Sequence, residues 1–204
     1  MRRVYLYTRY ERFWHWAQAL ILIGLGLTGA EIHGVYRWLG FEEAYELHTY
    51  FGWALVVLVA FTIFWHFTTG QWKQYIPTLE RVDAMIRFYT VGMFRGEPHP
   101  YKKTELSKLN PLQRLTYLGF KIIIVPVLGT TGLLMIYYNR LPEWGIHVSL
   151  GTLAAIHTAA AFLLLAFFIV HVYMTTTGHT VFSNIKAMIT GYEEIPEESP
   201  AAGD

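Results

Sequence analysis

The sequence predicts an all-α integral-membrane protein: a bundle of four transmembrane helices with both termini in the cytoplasm. Three observations carry that expectation. Of the 204 residues 53% are hydrophobic and only 15% charged, a balance rare in a soluble domain of this length. Four stretches each hold about 20 mostly apolar residues, enough to cross the hydrocarbon core of a bilayer. Lys and Arg concentrate on alternate connections between those stretches.

The first span covers 13–31, FWHWAQALILIGLGLTGAE, and follows Arg2, Arg3, Arg9 and Arg12. It is long enough to cross and lacks an obvious small-residue cleavage site, so it is read as retained rather than as a cleaved signal. The second span covers 47–67, LHTYFGWALVVLVAFTIFWHF. The loop from 68 to 114 then carries Lys73, Arg81, Arg87, Arg95, Lys102, Lys103, Lys108 and Arg114, which places it in the cytoplasm. Inside that loop VDAMIRFYTVGMFRG mixes apolar and basic residues in the manner of a helix lying on the membrane surface.

The third span covers 115–138 and the fourth 150–174. Lys121, near the start of the third, can snorkel to the interface, and Pro126 is expected to kink the helix. The outer connections carry one cation each, Arg37 and Arg140. Their acidic residues, Glu42, Glu43, Glu46 and Glu143, are solvated or meet a basic partner. Residues 1–192 are thus expected to form one transmembrane domain, and the acidic stretch 193–204 a disordered tail.

Composition narrows the chemistry. The chain has no cysteine, which excludes disulfides, thiolate zinc sites, iron–sulfur clusters and covalently attached c-type haem. A net charge of +1 gives no sign of nucleic-acid binding. No Ser-His-Asp pattern or phosphate-binding glycine loop is evident, so substrate oxidation is assigned to another subunit. The nine histidines are the main potential ligands.

Their depths form a pattern. His157 and His171 lie at opposite ends of the fourth span, roughly 21 Å apart and within about 40° of one helix face. His15 falls at the inner end of the first span and His48 at the outer end of the second. Orientation therefore pairs His15 with His171 and His48 with His157. Two imidazoles per level suit the axial positions of a haem iron, whereas zinc normally takes four protein ligands. Gly24, Gly26, Gly29 and Ala159–Ala161 leave room for a macrocycle. His66 lies on the same helix face as His48 and competes for the inner level or for an interfacial role. His33, His99, His147 and His179 fall in loops or at span edges. A weak internal repeat links LGLTG (25–29) with LGTTG (128–132), each followed by a span with an early His-Thr. Two other readings stay open: a small transporter whose histidines relay protons or bind a metal, and a haem-free membrane anchor.

Several motifs resemble a known family. ERFWHW, LHTYFG, KLNPLQRLTYLG, HTAAAFLLLAFFIVHVYM and IKAMITGY are similar to segments of the di-haem cytochrome b subunits of formate dehydrogenase (gamma subunit), nickel–iron hydrogenase and thiosulfate reductase. The resemblance implies two b haems, the inner held by His15 and His171 and the outer by His48 and His157. It also implies a quinone or menaquinone site beside the inner haem, with Asn110 matching an asparagine implicated there and Gln113 and Tyr117 as nearby polar candidates. Asn110, followed by Pro111, is equally suited to cap a helix. The implied partners are membrane lipid, quinone and an external iron–sulfur or multihaem cytochrome subunit; the implied location is a bacterial or archaeal cytoplasmic membrane.

Overall fold

A computed structural model describes residues 2–101 and 108–195. In chain order the elements are β1 (Arg2–Tyr5), α1 (Arg9–Ile32), α2 (Phe41–Thr69), α3 (Val82–Arg87), α4 (Pro111–Gly119), α5 (Val125–Ile136), α6 (Leu150–Thr175), α7 (Ser183–Thr190) and β2 (Tyr192–Ile195). Among the described residues the fold is all-α apart from the pairing of β1 with β2, and four helical runs are long and apolar enough to cross a membrane: Arg9–Ile32, Phe41–Thr69, Pro111–Ile136 and Leu150–Thr175.

The first three runs start earlier than hydropathy indicates. α1 begins at Arg9 because Thr8 and Glu11 form a reciprocal cap: the Thr8 amide donates to Glu11 Oε2 at 2.7 Å, and the Glu11 amide to Thr8 Oγ1 at 3.3 Å. α2 begins at Phe41, after the Trp38, Leu39 and Gly40 amides have all donated to Glu31 Oε1 at 2.7–2.8 Å. Such first turns are polar, so they are helical without being apolar.

The third run is interrupted. Between α4 and α5 the backbone opens into a π turn, Phe120–Ile124. Pro126 sits in the first turn of α5; it lacks an N–H, and its ring crowds the carbonyl four residues back. The wider turn accommodates that mismatch, so the disturbance falls ahead of the proline. Phe120 is buried there and stacks on Phe167, with ring centres 4.6 Å apart.

The segment VDAMIRFYTVGMFRG is helical. It comprises α3, a π turn (Phe88–Gly92) and a 3-10 turn (Met93–Arg95). Met85 and Phe88 are buried while Ile86, Val91 and Phe94 are exposed, so the helix is two-faced. Lys102 and Lys103 lie outside the described residues.

The tail departs from expectation. Residues 193–195, anticipated as disordered, belong to β2, which runs antiparallel to β1 with Arg2 opposite Ile195 and Tyr5 opposite Tyr192. The pairing is reinforced by the Arg3 guanidinium, 4.3 Å from the Tyr192 ring centre. Gly191 makes the turn into β2 at φ 87°, where a Cβ would meet the Tyr5 ring at 2.6 Å. Local acidity hid the pairing because its partner lies at the other end of the chain. Residues 196–204 lie outside the described residues.

The described residues fall into two compact units. One draws on Met1–Phe13, Trp72–Thr116 and Val170–Asp204, the other on Trp14–Gln71 and Tyr117–Ile169. The first buries Val4, Leu6, Met85, Phe88 and Ala187, and also holds a partly buried Lys108–Glu11 ion pair at 2.7 Å. The second buries Ala44, Phe120, Leu141, Leu153 and Ala160, while Leu20, Phe61, Phe64, Ile122, Phe162 and Leu163 are exposed. Large apolar side chains turned outward are what a lipid-facing surface requires.

Candidate functional site

Two of the predicted histidines meet in the second unit. The rings of His48 (α2) and His157 (α6) have centres 6.2 Å apart and planes inclined at 68°. Each ring is held in the same way. His48 Nδ1 lies 2.9 Å from Thr28 Oγ1 in α1, and His157 Nδ1 lies 2.8 Å from Thr131 Oγ1 in α5. The residue after each threonine is a glycine facing the imidazole: a Cβ at Gly29 would stand 3.4 Å from His48 Cε1, and one at Gly132 would stand 3.5 Å from His157 Cε1. The LGLTG and LGTTG segments are therefore equivalent in space as well as in sequence. Their small residues admit an imidazole edge.

The other predicted residues have distinct surroundings. His15 lies in α1 beside Trp16, with ring centres 5.0 Å apart, and belongs to the second unit. His171 lies in α6 and belongs to the first unit. His66 is buried, and both of its nitrogens face protein partners: Nδ1 donates to the Thr62 carbonyl at 2.7 Å, and Lys121 Nζ stands 3.4 Å from Nε2. The same ammonium lies 5.1 Å from the Trp14 ring centre. Lys121 therefore turns to a histidine and an indole face.

Asn110 caps α4, as its sequence suggests. The Gln113 amide donates to Asn110 Oδ1 at 2.8 Å, and the Asn110 amide donates to Gln113 Oε1 at 3.0 Å. Asn110 is also almost fully buried and donates through Nδ2 to the Tyr89 hydroxyl at 3.0 Å. That hydroxyl is 3.3 Å from His99 Nε2, and Tyr173 donates to the Tyr89 carbonyl at 3.0 Å. Burial pushes the Tyr89 phenol above its ordinary value, against the opposing pull of its bonds to Asn110 and Thr177. Tyr117 lies in the other unit, its ring centre 5.9 Å from that of Phe167.

The sequence pattern of one family, described as prokaryotic cytochrome b561, matches residues 6–191. The chain belongs to the prokaryotic cytochrome b561 family. A protein of Escherichia coli (strain K12) named "Putative cytochrome YdhU" is 31% identical over 195 residues, which span 93% of this chain and 74% of that protein. No solved structure matches the chain.

Membership in the cytochrome b561 family implies haem b and electron transfer by a multi-pass prokaryotic membrane protein. The residues present fit the cofactor at His48 and His157. A metal–imidazole nitrogen bond is about 2 Å long and a ring centre lies about 1 Å beyond its nitrogen, so two imidazoles on one iron have centres about 6 Å apart. With both Nδ1 atoms on threonines, Nε2 remains to each ring for a metal. A Cβ at Gly26, Gly52 or Gly129 would meet nothing within 4 Å. Among the described residues no three His, Asp or Glu side chains converge, so the ligand set on offer is a pair.

Sequence reasoning missed Thr28, Thr131 and Tyr89. The threonines were visible in the repeated LGxTG, but a helical threonine ordinarily bonds its own backbone and signals little. Tyr89 lies in a segment whose apolar and basic residues dominate its reading.

Proposed function

We propose that this chain is a di-haem b-type cytochrome subunit of a respiratory oxidoreductase complex. It carries electrons across the cytoplasmic membrane of a bacterium or archaeon, between an external redox partner and the quinone pool near the cytoplasmic face. Both termini and the 68–114 loop lie in the cytoplasm, on the strength of the Lys and Arg distribution. His48 and His157 hold the outer haem. His15 and His171 hold the inner one, assigned from their depth along the spans and from the family resemblance. Asn110, Gln113 and Tyr117 are assigned to the quinone by the family resemblance alone. The partner supplies iron–sulfur clusters or further haems and performs the substrate chemistry.

The reading rests on one observation above all: the His48–His157 ring pair at 6.2 Å, each ring braced by a threonine from a neighbouring helix. When bound, the haem supplies one-electron redox chemistry at an iron whose potential the protein sets. The chain's own contribution is to fix the imidazoles, shield them within apolar helices and supply a polar network around Asn110.

The test is an oxidised-minus-reduced visible spectrum of the purified protein with a haem assay. The expected result is a low-spin b-type spectrum with two haems per chain. A colourless protein that is otherwise folded overturns the reading in favour of a transporter or plain anchor. A single haem per chain overturns the di-haem assignment alone.

A further inference from the structure

The two threonines are tied to their histidines by more than proximity. Thr28 Oγ1 lies 2.7 Å from the Gly24 carbonyl, and Thr131 Oγ1 lies 2.6 Å from the Val127 carbonyl. A carbonyl only accepts, and a hydroxyl has one proton to give. That proton goes to the carbonyl, so towards the histidine each threonine oxygen can only accept. His48 and His157 must then carry their protons on Nδ1. The lone pair of each ring falls on Nε2.

We infer that Thr28 and Thr131 are positioning residues that lock both outer histidines in the iron-binding tautomer and lower the reduction potential of the haem they share. The inference rests on the proposed outer haem site. An Nδ1–H that donates to oxygen makes its imidazole a stronger electron donor, which favours the ferric state. Here the acceptor is itself polarised by donating to a backbone carbonyl, which strengthens the effect. Both threonines act on one haem, because their histidines face each other. The Gly29 and Gly132 contacts bear on the ring edges; the hydroxyls, together with the Leu25 and Leu128 carbonyls that also bond the rings, bear on the protons.

The test uses the full chain in lipid bilayers, with Thr28→Val, Thr131→Val and the matching serine variants. Each haem is followed by potentiometric titration and by low-temperature paramagnetic resonance. Each valine variant is expected to raise the potential of the same single haem, the one lost in His157→Ala. Its affinity for that haem should fall roughly 10- to 100-fold, the usual penalty for deleting a ligand's supporting partner. Serine keeps the hydroxyl and should restore both values. Loss of the haem in a valine variant supports the inference when the serine variant retains it and helix content is unchanged. The inference is overturned if the valine variants keep wild-type potentials at full occupancy, or if serine fails as valine does. Failure of the underlying reading looks different: the wild type lacks the haem, or the haem that shifts is not the one His157→Ala removes.

Discussion

The α1–α2 and α5–α6 halves solve one problem with different parts. Both set a threonine against a histidine, at 2.9 and 2.8 Å, and both follow the threonine with a glycine under the imidazole. Around that shared element they diverge. Four residues before the threonine the first half has Gly24 and the second Val127; three residues after the histidine the first has Phe51 and the second Ala160. Gly24 admits the Phe51 ring so closely that a Cβ there would stand 2.7 Å from it. Small and large have exchanged places between the halves. What is kept is the polar contact; which helix carries the larger residue is left to vary. The turns leading into the histidine helices differ too. Glu31 gathers three amides ahead of α2, whereas the Tyr138 hydroxyl donates to the Val148 carbonyl at 3.2 Å and accepts from the Leu150 amide at 3.1 Å ahead of α6.

The comparison breaks first at the histidines. Under the proposed di-haem reading, His48→Ala and His157→Ala are expected to have one and the same outcome, the loss of one haem per chain. A haem assay that finds different haems lost, or none, would dissolve the equivalence of the halves.

The size exchange is next in magnitude. Gly24→Val, which installs the second half's residue in the first, should destabilise the protein by about 1–3 kcal/mol through overpacking against Phe51. Adding Phe51→Ala completes the swap and should recover most of that loss, as read by thermal unfolding in detergent. If the double variant is no better than the single, the halves are not interchangeable in packing.

The turns ahead of α2 and α6 can be ranked in the same assay. Glu31→Ala strands three amide donors, and its melting temperature should fall further than that of Tyr138→Phe. The latter removes one hydroxyl and is expected to cost about 1 kcal/mol. The reverse ranking would mean the tyrosine bridge carries the load.

Gly29→Ala and Gly132→Ala should have the smallest effects and matching ones. Their added methyls would stand 3.4 and 3.5 Å from the two imidazoles, ordinary contact or slightly tighter. A change beyond about 0.5 kcal/mol in one but not the other would show that the equivalence stops short of the glycine.

Much of this was legible in the sequence. The four spans were, because hydropathy measures fitness for lipid directly. Their starts were not, since Thr8, Glu11 and Glu31 organise the first turns with polar atoms that hydropathy counts against a span. The His48–His157 pairing was readable from depth and orientation. The threonine partners were not, because a helical threonine ordinarily spends its hydroxyl on its own backbone, and nothing local marks the ones that also meet a histidine. The β1–β2 pair was invisible for the same reason in stronger form. Neither RRVY nor YEEI shows strand alternation clear enough to stand against its charged neighbours.

That strand pair bears on how the protein comes into being. β1 is synthesised before the four spans and β2 after them, so their ladder cannot close until every helix between them has been made. The opening segment must wait, unmatched, through insertion of all four spans. Ribosomes stalled before Tyr192 is made should therefore hold chains whose Arg2–Tyr5 segment is still open to protease.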